Sequence, residues 1–218
     1  MNYLAVFASG HGSNLQAIID ACEAGILPET RVSVVVCNHK DAYALVRARN
    51  HSIPTIYHPF LPYRKEGKSR QEYDADLVRK LSAYPVDLVV QAGWMHILSM
   101  AFLRRYPRML NIHPALPGAF PGMHAIERAY EAFQRGEITD TGVMVHCVPD
   151  EGVDSGPVIV QEIVPIYPQD KLEDLEARVH TVEHGLYVRA IAQVLGIIPN
   201  WPLVPDPGEV LPFRWSSP

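Results

Sequence analysis

The chain has 218 residues, of which 48% are hydrophobic and 20% are charged, and its formal net charge is -5 with histidine counted as neutral. This length fits one α/β domain, or at most two small ones, with enough apolar residues for a sizeable core. The negative charge gives no general attraction to nucleic acid or to an anionic membrane, so any phosphate site must be local. We therefore expect small-molecule substrates, with no nucleic-acid or membrane partner.

The cysteines give no indication of a disulfide framework or a cysteine zinc site, because they are odd in number, far apart and without a Cys-x-x-Cys pair. They are Cys22, Cys37 and Cys147. The chain opens with a strand-like segment and shows neither a basic leader nor a long apolar run, so we expect no signal peptide and no membrane span. These features predict a cytoplasmic protein.

A glycine-rich turn follows a strand-like segment over residues 4–8 and precedes a helical segment over residues 15–21. The turn has the sequence Ser9-Gly-His-Gly-Ser-Asn14, in which Ser13 or Asn14 is expected to cap the helix. Glycines let backbone N–H groups approach an anion at a helix N-terminus, which predicts a phosphate site. The alternative is a tight turn that simply requires glycine. A dinucleotide site is less favoured, because the third glycine of the G-x-G-x-x-G pattern is absent.

Strand-like and helical segments then alternate as far as His113, which predicts a mostly parallel sheet. In an open sheet of this class ligands bind outside the carboxyl ends of the strands, so residues that follow a strand are candidates for a site. We expect a strand over 32–37, a helix over 41–50, a short edge strand over 53–57, a loop over 58–68, a helix from a Ser69 cap to about residue 83, a strand over 86–92 and a short helix over 101–106.

Two parts of this region have alternative interpretations. Arg70 lies in the first turn of its helix, where a cation is disfavoured by the helix dipole. It is either a solvated surface arginine or an arginine directed at a carboxylate. The segment Gly93-Trp-Met-His-Ile-Leu98 follows a strand and forms either the wall of a pocket for a flat heterocycle or part of the core.

The strand-like segment Met109-Leu-Asn-Ile-His113 is stopped by Pro114 and carries two polar side chains, Asn111 and His113. Because they are two residues apart on a strand, these side chains share a face. An amide donor beside a histidine that titrates near neutral pH can hold a developing oxyanion and transfer a proton. We therefore interpret this pair as the candidate catalytic centre.

After His113 we expect a proline-rich loop, a helix of about ten residues that follows His124, and two strands over 141–148 and 158–165. The two strands should form a hairpin whose connection, residues 149–156, is acidic. This connection is expected to bring a carboxylate to His113 that pairs with it and raises its pKa, and Asp154 is one candidate. The alternative for Asp154 is an ordinary turn aspartate.

The longest predicted helix covers residues 172–195 and has a continuous apolar stripe. His180 and Glu183 are three residues apart and therefore share a face of this helix. The segment from His180 to His184 also matches the metal pattern H-x-x-E-H, but so short a pattern arises easily in a chain with 10 histidines, and we expect no metal. Residues 198–218 are expected to form an irregular proline-rich tail.

Five segments together resemble the phosphoribosylglycinamide formyltransferase family of folate-dependent enzymes. They are Ser9-Gly-His-Gly-Ser-Asn-Leu15, Ala92-Gly-Trp-Met-His-Ile-Leu98, Leu110-Asn-Ile-His-Pro114, Asp154-Ser-Gly-Pro157 and Glu183-His184. In that family the Asn-x-His-Pro motif and the distant aspartate accompany the chemistry, whereas the Ser-Gly-x-Gly-Ser-Asn turn points to glycinamide ribonucleotide as the acceptor. The resemblance extends to about Leu195.

The resemblance implies a formyltransferase domain over residues 1–197 with a Rossmann-like fold. This fold is an open, twisted, mostly parallel sheet with helices on both faces and an antiparallel hairpin near the C-terminal part. The implied reaction transfers a formyl group from 10-formyltetrahydrofolate, as cosubstrate, to the amine of glycinamide ribonucleotide in purine biosynthesis. The implied assembly is a monomer or homodimer without a metal.

The resemblance also implies a role for each matching residue. The catalytic residues would be Asn111, His113 and Asp154. The substrate would be held at its phosphate and ribosyl groups by Gly12, Ser13, Asn14, His180 and Glu183. The folate would be held by Arg70, Met95, His96, Ile97, Leu98, Asp150 and Asp154.

The chain departs from the family pattern at three places, none of which removes a catalytic group. His113-Pro-Ala-Leu-Pro-Gly118 replaces the usual His-Pro-Ser-Leu-Leu-Pro, Pro149 lengthens the acidic loop, and His96 stands where arginine is common. The alternative functions are formyl transfer to another amine, on a sugar nucleotide or an aminoacyl-tRNA, and a non-catalytic phosphate-binding α/β module. A pure binding module has no need of a proton carrier such as His113.

Overall fold

A computed structural model describes residues 1–197, so the predicted tail over residues 198–218 lies outside the described residues. The chain divides into two compact units. The first contains residues 1–111 and 148–152, and the second contains residues 112–147 and continues from Val153. The boundary proposed at residue 197 for a formyltransferase domain stays a prediction.

The first unit alternates strands and helices, and every strand pairing within it is parallel. Its strands follow the order β3-β2-β1-β4-β5, with Leu4 of β1 opposite both Val32 of β2 and Leu88 of β4. The elements are β1 (Asn2–Phe7), α1 (Ser13–Glu23), β2 (Thr30–Cys37), α2 (Tyr43–Asn50), β3 (Thr55–Tyr57), α3 (Phe60–Lys65), α4 (Arg70–Leu81), β4 (Leu88–Gln91), α5 (Met100–Leu103) and β5 (Met109–His113), whose last two residues belong to the second unit.

The second unit contains an antiparallel hairpin and the longest helix. Its elements are α6 (Ala125–Gln134), β6 (Asp140–Cys147), β7 (Val158–Pro165) and α7 (Leu172–Val194). The hairpin register runs from Asp140 opposite Pro165 to His146 opposite Val158. α7 packs on both hairpin strands through its apolar stripe, of which Leu175, Val179 and Leu186 are buried. The predicted fold class is confirmed, since seven strands are mostly parallel, helices flank them, and the antiparallel pair lies in the C-terminal part.

The strands of the first unit are apolar because helices cover them. β4 is buried along its whole length, and β1 is buried from Leu4 onward. One core cluster joins alternate residues of β1 and β2 to aromatic residues beyond β4, including Trp94 and Phe102. Trp94 and Phe102 both meet the ring of Phe7 edge to face, at centroid distances of 5.2 and 5.6 Å. Such a layer holds the carboxyl ends of β1 and β4 in fixed positions.

The predicted loop over residues 58–68 is wrong, because it contains the short helix α3. Pro62 is the third residue of this helix, where a proline is tolerated because the first N–H groups of a helix have no intrahelical partner. The next predicted start is confirmed: Ser69 caps α4, and its side chain exchanges hydrogen bonds with Glu72 in a capping box.

The cysteines are free thiols in the described part of the chain. Burial raises the pKa of Cys22 and of Cys147 to about 11, and it also raises the pKa of Cys37. Thiols with raised pKa values are poor nucleophiles. Within residues 1–197, no helix has the combination of length and apolar character that a bilayer crossing requires.

Candidate active site

The glycine-rich turn after β1 places Gly12 at the position before α1. Gly12 has a φ of +74°, and its carbonyl accepts the first helical hydrogen bond, from the N–H of Gln16 at 3.0 Å. Ser13 and Asn14 therefore lie inside the first turn, and the prediction that one of them caps the helix is wrong. A glycine is required because a Cβ at position 12 would lie 2.9 Å from the Cβ of Ala44. The N-terminus of α1 therefore lies at the turn, where the helix dipole favours an anion, and the phosphate site stays a prediction.

The turn is also joined to the segment that follows β4. The N–H of Ser9 donates to the carbonyl of Gly93 at 2.9 Å, and the Ser9 hydroxyl accepts from the N–H of Met95 at 3.2 Å. The segment after β4 contains both buried and exposed side chains. Leu98 is part of the core, whereas Met95 and Ile97 are 59% and 43% exposed. Both interpretations of this segment therefore hold for different side chains.

His96 is half-buried between aromatic neighbours. Its ring lies 5.5 Å from that of Phe60 and 5.7 Å from that of Trp94. Burial lowers the pKa of His96, and the charge of His39 lowers it further. At neutral pH this side chain is therefore an uncharged aromatic surface rather than the cation that an arginine would supply.

Arg70 is paired with a carboxylate of the protein itself. Its guanidinium donates to Glu151, whose other oxygen accepts from the N–H of Met100 at 3.0 Å. Buried Asp74 accepts from the neighbouring N–H of Ser99 at 2.6 Å. Glu151 is not among the residues predicted from the sequence, because Arg70 and Glu151 are 81 residues apart and no local pattern connects them. Asp150, which is a predicted folate contact, accepts from the N–H of Gly152 at 2.8 Å.

The predicted pairing of His113 with Asp154 is present in the second unit. Nδ1 of His113 lies 3.2 Å from a carboxylate oxygen of Asp154, and the two side chains are only 5% and 10% exposed. Nε2 of His113 lies 3.0 Å from the carbonyl oxygen of Phe120. Asn111 precedes His113 by two residues on β5 and is half-buried. Asn111 and His113 are two residues apart on an observed strand, so their side chains share one face of it, as the sequence predicts.

Asp154 is held by more than the histidine. The same oxygen that faces His113 accepts from the N–H of Gly122 at 2.8 Å, and its other oxygen lies 3.5 Å from Nε2 of His146. Its backbone φ is +49°, a left-handed conformation that aspartate adopts more readily than most residues. Sequence analysis missed His146 and Phe120, and the only sequence signal for His146 is its position on the strand before the acidic loop.

The pKa of His113 differs from the prediction. Burial lowers the pKa of His113, and the charge of Asp154 and the carbonyl of Phe120 oppose this effect without reversing it. The predicted rise is therefore wrong, because the sequence does not reveal how deeply the ring is buried. For Asp154, burial favours the neutral acid, but hydrogen bonds from His146 and Gly122 and the charge of His113 lower its pKa overall. A neutral imidazole beside an ionised carboxylate is the resting state at neutral pH.

The predicted pair on the longest helix is also formed. Nδ1 of His180 lies 2.8 Å from the carboxylate of Glu183, which is 7% exposed, while His180 is half-exposed. The hydrogen bond to Glu183 raises the pKa of His180. The pair offers a carboxylate and an imidazole from one helix face, as expected for residues three apart.

One group of side chains in the described ranges brings metal-ligand atoms within 4.8 Å of one another, and it consists of Asp20, Glu23 and His51. It does not include His180 or His184. Glu23 already binds His51 at 2.7 Å, and Asp20 accepts from Gln16 at 2.8 Å. These internal contacts explain the grouping.

Comparisons with known proteins give a consistent result. A family model described as formyl transferase matches residues 2–191. A phosphoribosylglycinamide formyltransferase of Schizosaccharomyces pombe is 51% identical over 201 residues, which cover 88% of this chain and 96% of that protein. The protein of the same name from Escherichia coli is 43% identical over 190 residues, which cover 87% of this chain and 85% of that protein.

Solved structures of similar proteins belong to the same family as these relatives. A phosphoribosylglycinamide formyltransferase from Bacillus halodurans has a TM-score of 0.82 and 38% identity, and the match covers 89% of this chain and 95% of that one. Glycinamide ribonucleotide transformylase 1 from Geobacillus kaustophilus has a TM-score of 0.81 and 41% identity, with coverage of 90% and 100%.

Proposed function

Because this chain belongs to the formyl transferase family, we propose that it transfers the formyl group of 10-formyltetrahydrofolate to the amine of glycinamide ribonucleotide in purine biosynthesis. The observation that carries the chemistry is the buried pair of His113 and Asp154. Relatives of the same name, matched over most of their length, support the choice of acceptor. The resemblance drawn from the sequence motifs is confirmed at the level of the family.

The proposed reaction begins with attack of the uncharged glycinamide amine on the formyl carbon. A tetrahedral oxyanion forms, to which the amide of Asn111 donates a hydrogen bond. His113 rests neutral because burial lowers its pKa. Nε2 of His113 accepts the proton of the attacking amine, and the same nitrogen returns a proton to N10 of the folate as the carbon–nitrogen bond breaks. The net transfer is one formyl group in one direction and one proton in the other.

Asp154 supports this cycle by holding the proton on Nδ1 of His113. In that tautomer Nε2 carries a lone pair that can accept a proton but cannot form a hydrogen bond with the carbonyl oxygen of Phe120, which is also an acceptor. When Nε2 becomes protonated, the carbonyl of Phe120 at 3.0 Å accepts from it. The ring nitrogens of the imidazolium thus both have acceptors, which stabilises the charged form during proton transfer. The nearby oxyanion adds to this stabilisation.

We assign the contacts of the ribonucleotide substrate to two regions. The phosphate is bound at the first turn of α1 by backbone and side-chain groups of Gly12, Ser13 and Asn14. The ribosyl hydroxyls meet the carboxylate of Glu183, with His180 beside it. The supporting observations are the left-handed φ of +74° at Gly12 and the hydrogen-bonded pair of Glu183 and His180 at 2.8 Å.

The folate family of cosubstrates has a flat pteridine ring and an anionic glutamate tail. We assign the tail to Arg70, whose side chain is part-exposed despite its pairing with Glu151. For the pteridine ring we propose the residues that the family resemblance implies, largely through their backbone groups: Met95, His96, Ile97 and Leu98 of the segment after β4, and Asp150 and Asp154 of the acidic loop.

We further propose a cytoplasmic enzyme that works as a monomer or homodimer on small molecules, without a metal, a nucleic acid or a membrane. The net charge of -5 and the free thiols with raised pKa values support this environment.

The test is an absorbance assay for loss of the formyl group from 10-formyltetrahydrofolate, run with and without glycinamide ribonucleotide. We expect turnover that requires this amine and that is lost in His113→Ala. Turnover without any amine would indicate a hydrolase instead. Folate binding without turnover would indicate another acceptor, and the absence of both would indicate a phosphate-binding module.

A further inference from the structure

Helix α2 supports the backbone of the glycine-rich turn. The N–H of Ala44 donates to the carbonyl of Gly10 at 3.1 Å, and Nε of Arg47 donates to the carbonyl of His11 at 3.0 Å. Nη1 of Arg47 also donates to the side chain of Gln16 in α1 at 3.0 Å. Because the guanidinium has donors in a fixed planar fork, these contacts define where the turn lies relative to both helices.

The ring of His11 is held by the same helix. It stacks on Tyr43 with a centroid distance of 5.3 Å and an interplanar angle of 17°. Nη2 of Arg47 lies 3.3 Å from Nδ1 of His11, and the guanidinium carbon lies 4.9 Å from the centroid of the Tyr43 ring. An exposed imidazole is therefore fixed on two sides, which lowers the entropy cost of using it as a ligand.

The contact with Arg47 determines which nitrogen of His11 carries the proton. A guanidinium can only donate, so Nδ1 of His11 must accept and the proton of the neutral ring lies on Nε2. In this tautomer Nε2 of His11, an exposed residue of the turn, is an N–H donor. The turn already offers helix N–H groups to an anion, and Arg47 adds a positive charge close behind it.

We propose that His11 donates a hydrogen bond from Nε2 to the phosphate of the substrate, and that Arg47 is the positioning residue that orients His11 and the turn. This inference rests on the proposed function, because it concerns the phosphate of the acceptor. It identifies a phosphate ligand outside the glycine, serine and asparagine of the turn. The chain as a whole has a net charge of -5 and does not attract phosphate. The donor of His11 and the charge of Arg47 would therefore make the enzyme prefer a phosphorylated acceptor to its dephosphorylated form.

The test compares kcat/KM for glycinamide ribonucleotide with kcat/KM for the same riboside without its phosphate. A hydrogen bond to a charged group is typically worth about a tenfold to hundredfold change in binding. We expect His11→Ala to lower kcat/KM by about this factor for the phosphorylated substrate only, through KM, with kcat and the KM for folate unchanged. His11→Gln keeps a donor near the position of Nε2 and should recover part of the loss.

Arg47→Met should show the same selectivity for the phosphorylated substrate. The matched control is Arg49→Met, which removes an exposed arginine two residues further along α2 and should change neither substrate. An equal loss for both substrates in His11→Ala or Arg47→Met would show a merely structural role and overturn the inference. No loss for either substrate would overturn it as well.

Binding of inorganic phosphate, measured by calorimetry, separates the inference from the proposed function. If the wild type has no turnover with glycinamide ribonucleotide, the proposed function fails. Phosphate binding that weakens about tenfold or more in His11→Ala, but not in Arg49→Met, would still support the His11 site. Equal phosphate binding by the wild type and His11→Ala would overturn it.

Discussion

Asp154→Asn is the most direct test of the proposed chemistry. Asparagine has the shape of aspartate and also tolerates the left-handed φ of +49° at this position, so the change removes the charge without backbone strain. Its side-chain oxygen can still accept from Gly122. What is lost is the carboxylate that lies 3.2 Å from Nδ1 of His113 and 3.5 Å from Nε2 of His146.

The expected loss follows from the role of that charge. Asp154 opposes the effect of burial on the pKa of His113, so without it the imidazolium forms less readily during the reaction. Proton transfer by a positioned side chain typically contributes about 10²–10⁴-fold to a rate. We expect kcat at saturating substrates to fall by this factor, with KM values within a few-fold of the wild type.

The assay is formyl transfer at saturating substrates, with Glu137→Gln as the control. Glu137 is exposed and pairs with Arg135 on the surface, where an ion pair contributes little to stability. Near-normal turnover in Asp154→Asn would refute the assigned role. An equal loss of folded protein and of activity in the variant would also refute it, because the structure predicts that the fold survives.

The same pair predicts a pH dependence of stability. The folded pKa of Asp154 is lowered, so its ionised form stabilises the native protein at neutral pH, and this contribution is lost as the pH falls through that lowered value. The folded pKa of His113 is also lowered, so below about pH 6.5 the unfolded chain takes up a proton that the native protein does not. The His113 effect should appear in chemical denaturation between pH 7 and pH 4, whereas the Asp154 effect appears only below about pH 4, where the carboxylate of the unfolded chain takes up its proton. Asp154→Asn should remove the part below about pH 4 and should enlarge the part above it, because the charge of Asp154 raises the pKa of His113.

Three further variants test separate parts of the site. Asn111→Ala should lower kcat by about 10²–10³-fold with an unchanged melting temperature, since it removes one oxyanion donor, and turnover within a few-fold of the wild type would contradict that role. Gly12→Ala should cost about 1–3 kcal/mol in denaturant unfolding and raise the KM for the ribonucleotide, because the new Cβ would lie 2.9 Å from Ala44. Glu151→Gln should tighten binding of folates that carry a glutamate tail, by releasing Arg70, but not of pteroyl analogues without the tail; equal effects on both would argue against Arg70 as the tail site.

The parts of the fold that follow from local sequence were predictable. β7 was predicted with its observed bounds, since Pro157 and Pro165 mark its ends, and the capping box at Ser69 has a recognisable spacing. α3 was not predictable from turn residues, because a proline within the first turn of a helix has the same sequence signature as a loop. The cap of α1 was assigned to the wrong residue because Gly12 is required there by its contact with Ala44, which the sequence does not show.

The contacts of the site also fall into those that the sequence predicts and those that it does not. The pair of His180 and Glu183 follows from helix periodicity, and that of His113 and Asp154 follows from a family motif. The partner of Arg70 comes from a distant loop and had no sequence signal. The direction of the pKa shift of His113 depends on competition between burial and a nearby charge. Only the three-dimensional structure gives the relative size of these two effects.

The short strand β5 has a consequence for how this sequence can change over time. Asn111 and His113 are separated by Ile112, which is buried, and Leu110 before them is buried as well. Insertion or deletion of one residue would exchange the two faces of the strand, so the buried imidazole of His113 would lose the partners that Asp154 and Phe120 provide. A chain in which β5 has gained or lost a residue would therefore not fold, whatever the effect of the change on catalysis. Insertions and deletions should consequently accumulate in the loop that begins at Pro114, and substitutions alone should accumulate in β5.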